Sequence, residues 1–354
     1  MKMLESLAVV YDWLVGRLYE ENLQVVFRRM NAQQYEDAFE CVEYRMVDYD
    51  PLMLDYQIAY MQSAGWVAED LSIVLLHNGR AAGICPLIIL QRGQETLLSS
   101  SVTDVFPPLF ATGVEDSVRK RLTKGWLSSI RHLAVRWCIP VWHGQEGFRN
   151  QEGLSHWHHL LMMSHARLAI THDWYVDLSR DLAVIKAGFR TSYKSLINKA
   201  DRLWRVRVIR DFGDREAWDE FHALHASVAG KETRAQATWE LQWDAIVRGR
   251  GFLICLSDAT GRMVGGGYFH FTTDEAIYAV GAYDRDLFDK PLGHAVQHHA
   301  IRELKSKGVR WYRIGRQCYE NDVPAPTDKE CAISNFKSGF ATHLFPVYRT
   351  FNHA

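Results

Sequence analysis

A mixed α/β fold laid down twice is what the sequence predicts, and three observations carry that prediction. The chain has 354 residues, more than one compact core usually holds, so two domains are expected, 1–170 and 171–354. Residues 71–142 and residues 252–314 pass through the same order of segments: strand, turn, strand, a further strand, helix, strand. Apolar residues make up 47% of the chain and charged residues 23%, a globular composition that leaves no room for extended disorder.

In the first half, residues 71–76 read as a strand, and His77-Asn78-Gly79-Arg80 carries the chemistry of a tight turn into a second apolar run at 81–90. This predicts a hairpin at the centre of a sheet. Residues 97–100 are a further short strand. After a loop containing Pro107 and Pro108, apolar positions at helical spacing predict a helix over 116–136, and residues 138–142 return as a strand. In the second half, helices are expected at 189–203 and 216–229. Strands are expected at 252–257, 263–271 and 276–283, the first two joined by a turn at 258–262. A helix over 292–307 then closes at Gly308, a residue suited to the left-handed position beyond a helix end, before a last strand at 311–314.

Composition excludes several function classes. Lys plus Arg number 41 against 42 for Asp plus Glu, so no protein-wide positive field exists to hold nucleic acid by its phosphates. DNA is not an expected partner, and any contact with RNA must be local. The six cysteines, at 41, 85, 138, 255, 318 and 331, show no zinc or redox-pair spacing, which fits reduced thiols in a cytoplasmic protein. No run of about 18 apolar residues predicts a membrane span, and the early charges Lys2, Glu5 and Asp12 argue against a secretory signal. Residues 7–18 read as a short amphipathic helix, docked either on the protein's own core or on a partner or lipid surface.

Near the carboxyl terminus, Ile333-Ser334-Asn335-Phe336-Lys337-Ser338-Gly339-Phe340 resembles the Phe-Lys-x-x-Phe-Gly signature of the Fem family of transferases, with Ala341 in place of the final glycine. Trp174-Tyr175-Val176-Asp177-Leu178, followed by Arg190, Tyr193, Ile197 and Ala200, resembles that family's entry into its second domain. Tyr278-Ala279-Val280-Gly281-Ala282 resembles its third strand, and Trp311-Tyr312-Arg313-Ile314-Gly315 the strand after the helix. Four motifs in the same order span roughly residues 174 to 345. The resemblance implies two tandem domains of the acetyltransferase superfamily called GNAT, moving an acyl or aminoacyl group onto an amine of a cell-envelope or glycan precursor. It implies no tightly bound cofactor, a donor that is acyl-CoA or aminoacyl-tRNA, and an acceptor that is a small molecule, a peptide or a nucleotide-linked sugar. The chain lacks the long charged helical hairpin that some members insert, which weighs against charged tRNA and brings shorter relatives of polysaccharide assembly closer. Two other readings are an acyl-CoA-dependent GNAT acetyltransferase acting on a small amine or amino sugar, and a non-catalytic glycan-binding protein that has kept the fold.

Acyl transfer to an amine needs positive charge aimed at the developing oxyanion. The resemblance assigns that charge to Lys337, with Phe336 packed to hold it; the alternative is a solvated lysine beside a buried aromatic. Lys231 and Arg234, in the loop 229–234, offer cations for a phosphate or carboxylate, or form an ordinary charged loop. Tyr278 and Tyr283 lie five apart on one strand, so a regular strand points them to opposite faces and only a bulge lets both line a cleft. Arg190 and Lys194 lie with Lys186 on one helical face that either holds phosphates or is simply solvated. Asp284, Glu320 and Asp322 are base candidates, and Cys318 and Cys331 flank the same loop without an evident base. Residues 284–293 lack the glycine-rich turn that cradles a pyrophosphate. No metal site is expected: His294 and His298 are four apart without a partnering glutamate, and the adjacent pairs His158-His159 and His298-His299 should diverge by about 100°.

Overall fold

The computed structural model describes residues 7–101, 103–147 and 155–353. Contacts divide the chain into two units, Met1–Ile170 with Pro346–Ala354, and Thr171–Phe345. The final segment, expected in the second domain, clusters with the first unit because it ends as a strand paired there.

The first unit runs α1 (Val10–Glu20), β1 (Gln24–Phe27), α2 (Ala32–Glu40), α3 (Pro51–Ser63), β2 (Val67–Asp70), β3 (Ile73–His77), β4 (Arg80–Cys85), β5 (Ile88–Arg92), β6 (Glu95–Ser99), β7 (Asp104–Val105), β8 (Leu109–Phe110), α4 (Asp116–Arg136), β9 (Val141–Glu146) and α5 (His156–Met162). Helix α1 buries Val10, Leu14 and Leu18, a spacing of four that makes one stripe, in the same core as Trp126, Ile130 and Leu133 of α4. The amphipathic segment thus docks on the protein's own core. Strands β3 and β4 form the expected hairpin, in the order β1-β3-β4-β8, with Asn78 and Gly79 at φ 52° and 73° as a two-residue primed turn requires. The apolar run 81–90 is two strands rather than one. Pro86 has no N–H to give a ladder, and beyond it β5 leaves for a second sheet, β2-β5-β6. The strand expected at 138–142 begins only at Val141, since Cys138 sits at φ 54° just past the end of α4.

The second unit continues with β10 (Arg167–Asp177), α6 (Leu182–Gly188), α7 (Thr191–Leu203), β11 (Arg205–Ile209), α8 (Arg215–Ala229), α9 (Gln236–Val247), β12 (Gly251–Ser257), β13 (Met263–Phe271), β14 (Glu275–Tyr283), α10 (Leu292–Ser306), β15 (Trp311–Gln317) and α11 (Asp328–Ser338). The chain ends with β16 (His343–His353), whose residues from Tyr348 pair antiparallel with β9. The sheet order within the second unit is β11-β12-β13-β14-β15-β10. All neighbours are antiparallel except β14 and β15, which α10 joins as a crossover and which therefore run parallel. The helix expected at 189–203 starts two residues later, as α7: Phe189 and Arg190 are extended, at ψ 150° and 134°, and separate it from α6, so Lys186, Arg190 and Lys194 do not share one helical face as expected. Gly308 closes α10 at φ 77°, as read from the sequence.

Strand alternation sends Phe252, Ile254, Phe269 and Ala276 to one face, under α7 and α10, and Leu253, Cys255, Tyr268 and Val280 to the other, under α8 and α9. The centre of the first face is an aromatic stack. Phe269 is fully buried, with ring centroids 5.0 Å from Phe252 and 5.2 Å from Tyr278. Phe269→Ala is expected to lower the unfolding free energy of this unit by about 3–5 kcal/mol, the range for a buried large-to-small change, read as a drop in the urea midpoint. A loss under about 1 kcal/mol would mean that the stack does not organise this face.

Candidate active site

Strands β14 and β15 pair at only three positions, Glu275 with Trp311, Ala276 with Tyr312 and Ile277 with Arg313. Both strands continue, to Tyr283 and Gln317, with no pairing between them among the described residues. Two bulges mark the parting. On β14, Phe269 opposes Tyr278 and Tyr268 opposes Val280, which leaves Ala279 surplus. On β15, Tyr175 opposes Arg313 and Trp174 opposes Gly315, which leaves Ile314 surplus. A bulge bends its strand and increases local twist, so two bulges on facing strands open a wedge in the middle of the sheet. Ala279 and Gly281 are exposed on the β14 side of it.

The β14 bulge also decides where the tyrosines point. In a regular strand Tyr278 would share the face of Val280 and Ala282. The surplus Ala279 turns it to the face of Tyr283, and the two hydroxyls meet at 2.8 Å. The pair expected on opposite faces is therefore a hydrogen-bonded pair on one face. Strand β13 makes room for it with glycines. A Cβ at Gly265 would lie 2.9 Å from the Tyr283 ring, and one at Gly267 would lie 2.9 Å from the Tyr278 ring. Burial pushes the Tyr278 hydroxyl up to about 12 and that of Tyr283 well above its ordinary value. Both stay protonated at neutral pH and act as hydrogen-bond donors rather than bases.

Lys337 arrives from α11. That helix starts with a capping box between Thr327 and Glu330, and its last turn is fastened by two residues of the segment that opens α7. The Arg190 guanidinium donates to the Asn335 carbonyl and side chain, both at 2.9 Å, and the Tyr193 hydroxyl donates to the Phe336 carbonyl at 3.0 Å. These bonds add a second donor to carbonyls of the helix end that already accept from Ser338 and the Gly339 N–H. The Phe336 ring lies against Gly293 of α10, where a Cβ would come within 2.9 Å of it, and edge-on to His294 at 5.1 Å. The lysine stem then crosses Gly315, at φ 152°, where a Cβ would lie 2.6 Å from Nζ. Nζ sits 5.5 Å from the centre of the Tyr278 ring, a cation–π contact. The side chain thus reaches from β15 toward β14 across the wedge. Burial pulls its pKa below the ordinary lysine value, while Asp173 and Cys318 act in the opposite direction. A freely solvated lysine does not fit this setting.

The other expected residues divide between this site and elsewhere. Arg190 is engaged with α11, as described, which places it behind Phe336 and Lys337. Lys194 is half-buried on α7. Arg234 stacks on Trp239 at 4.1 Å and donates to Gln242 at 3.3 Å; Trp239 belongs to the α8–α9 core, on the opposite face of the sheet from the tyrosines. Lys231 is exposed in the same loop. Among the base candidates, Asp284 is paired with Arg262 at 2.8 Å and Asp322 with Arg316 at 3.1 Å. The Cys318 N–H donates to Ser334 of α11 at 3.0 Å. Gly315, Asp173 and His294 take site positions that sequence reasoning did not assign to them. The glycine stands inside a quoted motif, yet only the bulge at Ile314 brings it under the lysine.

His294 faces Tyr193, Phe336 and Phe340, and burial together with Arg190 lowers its pKa to about 4. Between pH 6.5 and 4 the unfolded chain binds a proton there that the folded chain does not, so stability falls as pH falls through that window. His294→Phe, which keeps the aromatic packing, is expected to flatten this fall. The check is the difference in urea midpoint between wild type and variant at pH 7.5, 6, 5 and 4; a constant difference would sink the assignment.

Residues 187–322 match a family model described as an acetyltransferase (GNAT) domain. No curated protein matches the sequence. Among solved structures, the chain is similar to FemX, at 13% identity over 92% of this chain and 96% of that one, with a TM-score of 0.64. It is also similar to L-PGS from Bacillus licheniformis, at 11% identity over 90% and 91% with a TM-score of 0.57, and to a tandem GNAT protein of the clavulanic acid biosynthesis pathway, at 13% identity over 94% and 98% with a TM-score of 0.50. In fold, the chain is thus similar to FemX and to a tandem GNAT protein, with two GNAT-like domains of which the second contains the match to the acetyltransferase (GNAT) domain model.

Proposed function

We propose that the chain is an N-acyltransferase of Fem-like type, moving an acyl or aminoacyl group onto an amine of a cell-envelope or glycan precursor. One observation supports this above the others: the Lys337 ammonium is held over a wedge whose two edges are unpaired backbone. The donor's extended arm adds to those edges as a strand would, its amides meeting the free N–H and C=O groups past Tyr278 and Ile314. Its carbonyl oxygen then lies toward Lys337. The acceptor nitrogen attacks the carbonyl carbon, negative charge gathers on the oxygen opposite the ammonium, and the bond to the donor's leaving sulfur or oxygen breaks. The proton lost by the amine leaves with that group or with water. Of the paired hydroxyls of Tyr278 and Tyr283, one donates to the other, and the one that accepts keeps its own proton to donate toward the leaving atom. Arg190 and Tyr193 position Lys337 through α11. Lys194, Lys231 and Arg234 serve affinity, holding anionic parts of donor or acceptor.

Donor and acceptor are found together by incubating the purified protein with acetyl-CoA, longer acyl-CoAs or charged tRNA and with amino-sugar nucleotides, and weighing the products. Transfer from charged tRNA supports the aminoacyl form, transfer from acyl-CoA the acetyltransferase form, and none from any donor the glycan-binding alternative. With the active pair, Lys337→Met keeps the stem, removes the charge and is expected to lower kcat by about 10²- to 10³-fold, the cost of one oxyanion partner. Near-normal turnover by the folded variant would remove Lys337 from the chemistry. Arg234→Ala is expected to raise KM and leave kcat, because a cation holding a remote anion binds ground and transition states alike; the reverse split would move it to the reacting centre.

A further inference from the structure

Helices α7 and α10 bring together three metal-binding side chains from sequence positions about a hundred residues apart. Asp201 stands in the last turn of α7, and His298 and His299 in the middle of α10. One ligating atom from each lies within 4.8 Å of the other two. Adjacent helical residues are expected to diverge, and that expectation is corrected here: the two imidazoles swing toward one another, with ring centroids 5.5 Å apart. His299 Nε2 is 3.3 Å from Asp201 Oδ1. Nδ1 of His298 is buried and has no hydrogen-bond partner among the described residues. A cavity of about 350 Å³ adjoins the cluster, lined by His298 and Asp201, the cations Lys186 and Arg302, and apolar groups including Phe189 and Ile301.

We propose that Asp201, His298 and His299 form a binding site for a divalent transition metal of the zinc type, with its remaining coordination position turned to this cavity. Two imidazoles and one carboxylate are the donor set that zinc, cobalt and nickel accept and that magnesium and calcium, which favour oxygen ligands throughout, do not. Each imidazole has one ring nitrogen whose lone pair a metal can take, and the buried, unpartnered Nδ1 of His298 is such an atom. Bonds of about 2.0–2.1 Å in a tetrahedron bring ligand atoms to ~3.3 Å of one another, a spacing that His299 Nε2 and Asp201 Oδ1 already have, so the remaining approach is at most about 1.5 Å. Asp201 is exposed and can make that movement by a change of rotamer. Lys186 and Arg302 face the same space and oppose a bare dication, which favours an anion or hydroxide in the open position. The metal would tie α7 to α10, the helices that carry Tyr193 and His294, whose rings meet each other and both pack on Phe336.

The test uses the full chain, freed of metal by chelation and dialysed, titrated with Zn²⁺ and separately with Co²⁺ and Mg²⁺. Expected are one Zn²⁺ per chain at micromolar affinity or tighter, a visible Co²⁺ spectrum of tetrahedral intensity, a higher thermal midpoint with Zn²⁺, and no response to Mg²⁺. Asp201→Asn, at an exposed position that folding tolerates, and His298→Ala should each weaken Zn²⁺ binding at least tenfold and abolish the rise in midpoint. No binding by the wild type, binding undiminished in both variants, or an equal response to Mg²⁺ would each overturn the proposal. None of these readouts depends on which group the enzyme transfers.

Discussion

The parting of β14 from β15 after three paired positions is the constraint on which the second unit's site depends. Backbone N–H and C=O groups inside a protein are nearly always paired, and leaving one buried without a partner costs about 1–3 kcal/mol. A sheet that opens in its middle avoids that cost only where its inner edges reach water, as the β14 edge does at the exposed Ala279 and Gly281. It stays folded because each strand retains its outer neighbour: β14 pairs with β13 through Tyr283, and β15 pairs with β10 through Gln317. The bulges at Ala279 and Ile314 let each strand follow its outer partner while it abandons the inner one. An extended ligand is the natural way to satisfy edges of this kind, because it offers amides at strand spacing.

What stands over the opening is fixed by a second layer that never touches it. Lys337 has no fixed place unless the end of α11 does, and that end is held from behind by Arg190, Tyr193 and the contact of the Phe336 ring tip with Gly293. Glycine recurs wherever the site needs closeness. Gly315 lets the lysine lie on the strand, and any side chain at Gly281 would collide with the Tyr278 hydroxyl. The site therefore departs from ordinary packing rules in several places at once: bulged strands, unpaired edges and a half-buried ammonium. Such departures are expected where function rather than stability selects the residues.

Regular elements were legible in the sequence wherever periodicity alone decides them. Helix α4 spans the residues read for it because its apolar positions keep one stripe from Val118 to Ala134, and Asn78-Gly79 announced its hairpin. The second-unit strands β12 to β14 were displaced by a single residue at most. Breaks in periodicity were harder to see. Tyr278-Ala279-Val280-Gly281-Ala282-Tyr283 alternates plausibly in either register, so nothing within it marks Ala279 as surplus; the bulge exists only relative to β13. The apolar spacing of α6 runs on into α7, which hid the extended Phe189 and Arg190. Pro86 did mark the end of β4, and reading through it joined two strands of different sheets. Arg190 looked like a phosphate-binding side chain because its real partner, the end of α11, lies about 145 residues further along the chain. The meeting of Asp201 with His298 and His299 was hidden for the same reason.

The lowered pKa of Lys337 and its aptness for an oxyanion follow from one cause. Taking an ammonium out of water raises the free energy of its charged form, which is why its proton is held less tightly. The same loss of water lowers the dielectric between that charge and any oxygen placed near it, and the attraction of two unit charges at a given distance grows as the dielectric falls. Full burial would defeat the purpose, because a neutral amine has no charge to offer. Asp173 and Cys318 act against the desolvation, and the Tyr278 ring face gives the ammonium a weak partner that does not neutralise it. A carboxylate in direct contact would hold the charge firmly but would also cancel its field at the substrate. A cation supported by a ring face and by the more distant Asp173 carboxylate keeps its field for the oxygen on which charge appears.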